Sequence, residues 1–277
     1  MPDRKPTKVY FVLGEASGDE LAADLYPVLD KRLAADGREL EAVGLAGPKL
    51  AQHGVKSLFN VDEIAVMGIS AVIARLPPIV RRVRQTVADV VAQNPDVILL
   101  IDSPDFTHAV AKRVRKQLPN TPIINYVSPS VWAWRSGRAK KMRAYIDHVL
   151  AILPFEPEAL EKLGGPPATY VGHPLPRRIE KLPKSKRVPL SKGTPNLLIL
   201  PGSRGGELDK LLEPFGQTLS WLKKNGVAFR AVLPAMPHLR ERIETAVRHW
   251  DVVPEIVDSS LNDVTFANAH AALAASG

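Results

Sequence analysis

The sequence predicts an α/β protein built from two Rossmann-like units, the second of them incomplete. Three observations carry this reading. Short β-branched apolar runs alternate with longer amphipathic stretches, the pattern of parallel strands joined by crossover helices. A basic, proline-rich segment interrupts the alternation, and the pattern restarts behind it. The length of 277 residues suits one or two domains at about 150 residues each.

Residues 8–13 (KVYFVL), 40–45, 97–101 (VILLI), 123–127 and 148–153 read as strands. Several are almost wholly apolar, as strands buried on both faces must be. Residues 19–35, 77–93, 105–117, 136–145 and 156–163 read as the intervening helices. They complete a first unit, residues 1–173. Residues 174–194 hold seven basic residues, one acid and four prolines. Proline at that density does not continue a helix and sits badly in a sheet, so an extended linker is expected. The second unit, residues 195–277, follows with a strand at 196–200, a helix at 207–224, a strand at 227–233 and a helix at 239–250. Two more strands are expected at 255–257 and 270–274. The last is followed by a Ser-Gly turn signal and no covering helix, so a truncated domain is expected.

Apolar residues make up 45% of the chain and charged residues 24%, which excludes disordered and collagen-like classes. The absence of cysteine excludes a disulfide scaffold, a zinc–thiolate site and a cysteine nucleophile. No histidines and carboxylates show metal-ligand spacing, so neither a metal nor a cofactor is expected. The opening Met1-Pro2-Asp3-Arg4-Lys5 lacks the apolar core of a signal peptide. The longest mainly apolar stretch, residues 64–74, is too short to span a bilayer, which takes about 20 residues. As a helix it would be apolar almost all round. Val66, Met67, Ile69, Val72 and Ile73 then suit an interfacial membrane contact, with a buried core helix as the alternative. The net charge is +8, concentrated in the linker and in two clusters. One is Arg135, Arg138, Lys140, Lys141 and Arg143; the other is Arg75, Arg81, Arg82 and Arg84. No helix-turn-helix, zinc-finger or RNA-recognition pattern accompanies the charge, so no nucleic-acid partner is expected. An anionic membrane surface or phosphate-bearing substrates account for it.

Ligands of open α/β sheets bind beyond the carboxyl ends of the strands, so polar residues directly after a strand are the candidates. The first strand runs into Gly14-Glu15-Ala16-Ser17-Gly18-Asp19. The glycines permit a tight turn, and Asp19 can cap the next helix. Glu15 would repel a dinucleotide pyrophosphate, whereas a carboxylate suits sugar hydroxyls; Glu15, Ser17 and Gly18 are therefore substrate-binding candidates. The strand at 97–101 ends in Asp102-Ser103-Pro104-Asp105. Asp102, directly behind five apolar residues, is a candidate catalytic base. Asp105 reads as a helix cap. Ser128 and Trp132 follow another strand, and Trp132 with Trp134 suits packing on a sugar face or an acyl chain, or plain packing. The second unit opens with LPGSRGGE (200–207). Its glycines and Ser203 before a helix form a backbone anion nest, with Arg204 as a bidentate phosphate ligand. Gly202, Ser203, Arg204 and Glu207 are the phosphate-binding candidates. No Gly-Lys-Ser/Thr follows, so this is not the P-loop.

Eight segments in order along most of the chain carry a family resemblance: GEASGD (14–19), GLAGPKL (44–50), AVMGI (65–69), IDSPDF (101–106), YVSPSVWAWR (126–135), LPFE (153–156), VGHPL (171–175) and LPGSRGGE (200–207). Together they resemble the lipid-A-disaccharide synthases, inverting glycosyltransferases of the two-domain GT-B type. The resemblance implies transfer from UDP-2,3-diacylglucosamine to 2,3-diacylglucosamine 1-phosphate, giving the lipid A disaccharide 1-phosphate and UDP. It implies Asp102 as the base for the acceptor's 6-hydroxyl, Arg204 and its loop at the donor phosphates, and Glu15 in a substrate-facing loop. It also implies an acceptor- and membrane-facing first domain, a donor-binding second domain, residues 64–74 at the membrane, and a cytoplasmic enzyme peripheral to the inner face of the cytoplasmic membrane of a Gram-negative-type bacterium. A homo-oligomer is left open. Family members continue past the point where this chain stops, with a Thr-Ala pair and a nearby glutamate of the donor site. The 277-residue chain is accordingly expected to be an inactive fragment. IDSPDF and SVWAW argue against another UDP-sugar GT-B enzyme, such as an epimerase or the lipid II glycosyltransferase. A lipid- or nucleotide-binding protein without catalysis is the remaining alternative.

Overall fold

The structure is a computed structural model and describes residues 6–65, 72–181, 183, 189, 192–203 and 205–275. The chain divides into two compact units, Met1–Pro174 and Leu175–Gly277.

The first unit runs β1 (Thr7–Leu13), α1 (Ala16–Ala35), β2 (Leu40–Gly44), α2 (Pro48–Ala51), α3 (Asp62–Ala65), α4 (Val72–Gln93), β3 (Val97–Ile101), α5 (Pro104–Gln117), β4 (Ile123–Tyr126), α6 (Gly137–Met142), β5 (His148–Ala151), α7 (Glu156–Lys162) and β6 (Ala168–Tyr170). Its six strands form one sheet in the order β2-β1-β3-β4-β5-β6. All the pairings are parallel. Parallel strands joined by helices are covered on both faces, which is why Tyr10 through Leu13 and Ile98 through Ile101 are buried without alternation. The chain moves from β1 to β2 in one direction and returns past β1 to β3 in the other. The crevice between β1 and β3 is therefore the topological switch point, where such sheets bind ligands. The register sharpens this: Leu13 faces Ile101, and Ile101 faces Tyr126, so the loops after β1, β3 and β4 leave the sheet at one level.

The second unit runs α8 (Leu175–Lys181), β7 (Asn196–Leu200), α9 (Gly205–Lys224), β8 (Arg230–Ala235), α10 (Arg240–Val247), β9 (Glu255–Asp258), α11 (Asn262–Asn268) and β10 (Ala271–Ala274). Its parallel sheet has the order β10-β7-β8-β9. Leu208, Leu212, Phe215 and Leu219 of α9 pack with Ile199, Leu233, Ile243 and Val247 into a separate core.

Several expectations need correction. The linker is not extended throughout: its first residues form α8, because Pro176 falls in the first turn, where no intrahelical N–H is needed. Strand β8 begins at Arg230 and not at 227. Val227 instead closes α9, its N–H reaching the Leu222 carbonyl across Gly226 at φ +73°. Strand β6 and helix α11 were not expected, being short and without a clear apolar period. Among the described residues, no helix is long and apolar enough to cross a membrane.

Candidate active site

Two loops meet at the switch point. Beyond β1, Glu15 is the extended N-cap residue of α1, and Ser17 lies in the exposed first turn. Gly18 is buried there for a steric reason. A Cβ on it would stand 3.1 Å from the Ile101 carbonyl oxygen and 3.8 Å from Asp102 Cβ. Glycine thus lets α1 start directly against the end of β3. That approach brings the Ser17 hydroxyl into a 2.6 Å hydrogen bond with Asp102 Oδ2.

The turn carrying Asp102 is strained. Asp102 and Ser103 both adopt left-handed backbone, at φ +54° and +42°. Such residues cost about 1–3 kcal/mol each and persist only where their surroundings hold them. The Asp102 N–H donates to the Tyr126 carbonyl at 3.2 Å, and Thr107 donates its hydroxyl to the Asp102 carbonyl at 3.0 Å. Ser103 Oγ is buried, with no hydrogen-bond partner among the described residues. The result is a carboxylate standing off the end of a buried strand, half-exposed, with one oxygen held by Ser17.

A buried polar set supports the next loop. His108 of α5 lies between Asn125 Oδ1 and the Tyr145 hydroxyl, each at 3.3 Å. Asn125 gives its amide N–H to the Val127 carbonyl at 2.8 Å, so its Oδ1 is left to accept from His108 Nε2–H, and Nδ1 accepts from Tyr145. This fixes Val127, a β-branched residue at φ +73°, just before Ser128. Burial first, and then the nearby Arg138 charge, lower the His108 pKa to about 3. The unfolded chain protonates this group below its ordinary value of 6.5, while the folded chain keeps it neutral. Stability is therefore lost as pH falls through that window, at up to about 1.4 kcal/mol per unit. Thermal unfolding from pH 7 to 5 should fall more steeply for the wild type than for His108→Leu; equal slopes would rule this out.

Ser128 is buried, and its hydroxyl donates to the Pro129 carbonyl at 3.2 Å. Trp132 is 43% exposed, edge-on to Phe155 at 4.9 Å. Its indole N–H reaches Glu156 Oε1 at 3.4 Å. Glu156 is buried at the start of α7 and folds back to accept from the Ile152 and Leu153 N–H groups at 3.1 and 3.0 Å. Trp134 stands exposed with the Arg135 guanidinium over its ring.

In the second unit, Gly202 has φ +114°, and a Cβ there would come within 2.3 Å of Glu207 Oε2. Glu207 itself accepts from the Ser203 N–H at 2.8 Å. Glu207, expected among the phosphate-binding residues, thus holds the backbone of the same loop. Arg204 lies outside the described residues, as do Val66, Met67 and Ile69; of Val72 and Ile73 only the helical backbone is described.

Two further expectations change. Asp19 does not cap α1. It is buried, and its carboxylate accepts from the Gly47, Lys49 and Leu50 N–H groups at the start of α2. Asp105 caps nothing either; it sits exposed in the first turn of α5, 3.2 Å from Arg138. The parts missed in the sequence are Glu156 and the His108–Asn125–Tyr145 set. A glutamate opening a helix after LPF was the only visible sign of the former. Among the described residues, no group of three His, Asp or Glu could hold a metal ion.

A family model described as Lipid-A-disaccharide synthetase matches residues 9–277. The lipid-A-disaccharide synthase of Rhodopseudomonas palustris (strain HaA2) is 48% identical over 273 residues, covering 98% of this chain and 69% of that protein. The lipid-A-disaccharide synthase of Nitrobacter winogradskyi is 46% identical over 284 residues, covering 100% and 71%. Among solved structures, UDP-GlcNAc 2-epimerase from Neisseria meningitidis bound to UDP-GlcNAc matches with a TM-score of 0.64 at 14% identity, covering 98% of this chain and 78% of that one. The S. aureus MnaA–UDP co-structure matches at 0.66 with 16% identity, covering 98% and 75%. At these identities the structural likeness concerns the fold alone, which is of the GT-B type.

Proposed function

The chain belongs to the lipid-A-disaccharide synthase family, and from that premise we propose how its two units share one reaction. The first unit takes the acceptor, 2,3-diacylglucosamine 1-phosphate. The second takes the donor, UDP-2,3-diacylglucosamine. Asp102 accepts the proton of the acceptor's 6-hydroxyl while that oxygen attacks the donor's anomeric carbon. The new C–O bond forms as the bond to UDP breaks, with inversion, and UDP leaves with the electron pair. An alcohol is too weak an acid to ionise beforehand, so proton transfer accompanies attack.

The observation that carries this reading is Asp102 itself. It sits at the switch point on a strained turn, and Ser17 holds one of its oxygens. The other takes no hydrogen bond from the described residues and is left for a substrate hydroxyl. Glu15 and Trp132 border the same carboxyl edge as substrate-facing groups. Gly202, Ser203 and Arg204 are assigned to the donor phosphates, where donors and positive charge stabilise departing UDP. The diacyl substrates make a peripheral position on the cytoplasmic face of the membrane the natural one, with Val66, Met67, Ile69, Val72 and Ile73 as contacts.

The test is an assay of disaccharide 1-phosphate and UDP formation from the two substrates. It is run on the 277-residue chain and on the chain extended with the C-terminal part of a relative. Transfer by neither would refute the reading. In the same samples, Arg204→Ala should weaken UDP binding by about 1.5–3 kcal/mol, the range for a hydrogen bond to a charged group. Unchanged affinity by calorimetry would remove Arg204 from the donor site.

A further inference from the structure

Helices α4 and α5 pack side by side and leave between them an open groove of about 460 Å³, lined by Arg84, Val87, Ala88, Arg113, Lys116 and Gln117. Three of these six residues are cations and none is an acid. Two other cations on the same helices are matched, Arg82 by Glu63 and Arg115 by Asp147, and Lys112 lies over the Tyr145 ring. Arg84, Arg113 and Lys116 pair with no carboxylate among the described residues. Arg113 donates to the Ala109 carbonyl of its own helix at 2.7 Å, which leaves its charge uncompensated. Arg113 and Lys116 stand three residues apart on one helix face, and Arg84 faces them from the other helix across the buried Val87. Like charges converging on an apolar floor repel one another, and an anion seated among them relieves that repulsion.

We propose that this groove seats the phosphate headgroups of anionic phospholipids, so that the α4–α5 face of the first unit lies on an anionic bilayer. The proposal rests on the reading of diacyl substrates above and assigns the membrane partner to particular residues. Helix α4 links the two kinds of membrane contact, since it begins within the apolar stretch at 64–74. Arg84 then follows about 18 Å along its axis from Val72. A helix apolar at one end and cationic along one side suits the bilayer interface. The groove offers no aromatic ring for base stacking, which separates it from single-stranded nucleic-acid sites.

Sedimentation of the full chain with phosphatidylcholine vesicles, with and without phosphatidylglycerol, tests this. Wild-type protein should bind the phosphatidylglycerol vesicles preferentially and release them at high salt. Arg84→Gln/Arg113→Gln/Lys116→Gln should weaken that binding about 100-fold, at about fivefold per charge. Lys140→Gln/Lys141→Gln/Arg143→Gln, with the same charge loss on α6 and the residue after it, should change it far less. All six side chains are exposed, and unchanged melting temperatures confirm that both variants fold. Equal losses in the two variants would show a response to net charge alone and overturn the groove. So would wild-type binding by the groove variant, full competition by free glycerol 3-phosphate, or stronger capture of a short oligonucleotide than of vesicles. Sugar transfer on detergent-dispersed substrates should survive in the groove variant. Its absence from both the wild-type 277-residue chain and the extended chain would count against the glycosyltransferase reading and leave the vesicle result standing.

Discussion

Asp102→Asn is expected to lower sugar transfer by about 10²–10⁴-fold, the usual cost of losing a general base. Asparagine is the substitution that isolates the chemistry. It has nearly the shape of aspartate, and its carbonyl oxygen can still accept the Ser17 hydroxyl. It also belongs to the few residue types that tolerate left-handed backbone, so the strained turn at φ +54° is preserved. The amide cannot take up a proton from the attacking hydroxyl. UDP affinity and the melting temperature should therefore stay near wild type while turnover collapses. Steady-state transfer is the measurement, made in whichever form of the chain is active. A variant within tenfold of the wild-type rate would remove Asp102 from the base role.

What could be read ahead of the structure follows from how far apart the interacting residues are in the chain. Strand β3 and Asp102 were legible because an unbroken apolar run ending in an acid is a local signal. The sheet, the two units and the glycine loop before α9 were legible for the same reason. The Ser17–Asp102 bond was not, since it joins residues 85 apart and depends on Gly18 letting α1 sit against β3. The buried histidine was missed because His108 is one polar residue in an amphipathic helix. Its partners lie on β4 and just beyond α6. The neighbours of Glu207 point to an anion site, and the bond from the Ser203 N–H to its carboxylate is visible only in the fold. The proline density of residues 174–194 predicts an extended linker, but Pro176 falls in the first turn of α8, where its missing N–H does no harm.

Asp19 differs from Asp102 in what it is expected to do, although both acids follow strand ends in motif-like segments. Asp19→Ala should destabilise the first unit by about 3–5 kcal/mol. The carboxylate is 2% exposed and accepts from three backbone N–H groups, those of Gly47, Lys49 and Leu50, at 2.8–3.0 Å. Helix α2 is four residues long and cannot satisfy its own first N–H groups, so Asp19 supplies what a longer helix would lack only at its end. Alanine would leave all three donors without a partner, at about 1–3 kcal/mol for each that water cannot reach. Water entering the vacated space recovers part of this, which places the sum below three full penalties. Asp19→Asn should fall between the two, keeping one acceptor oxygen and losing the charge. Denaturant-dependent hydrogen exchange resolves the two units separately: amides of β1, β2 and β3 should lose protection, while those of β7 and β8 keep it. Because Asp19 makes no contact with the proposed chemistry, any transfer activity should track the folded fraction. Loss of transfer in a variant as stable as the wild type would show that Asp19 works in the reaction and not in the fold.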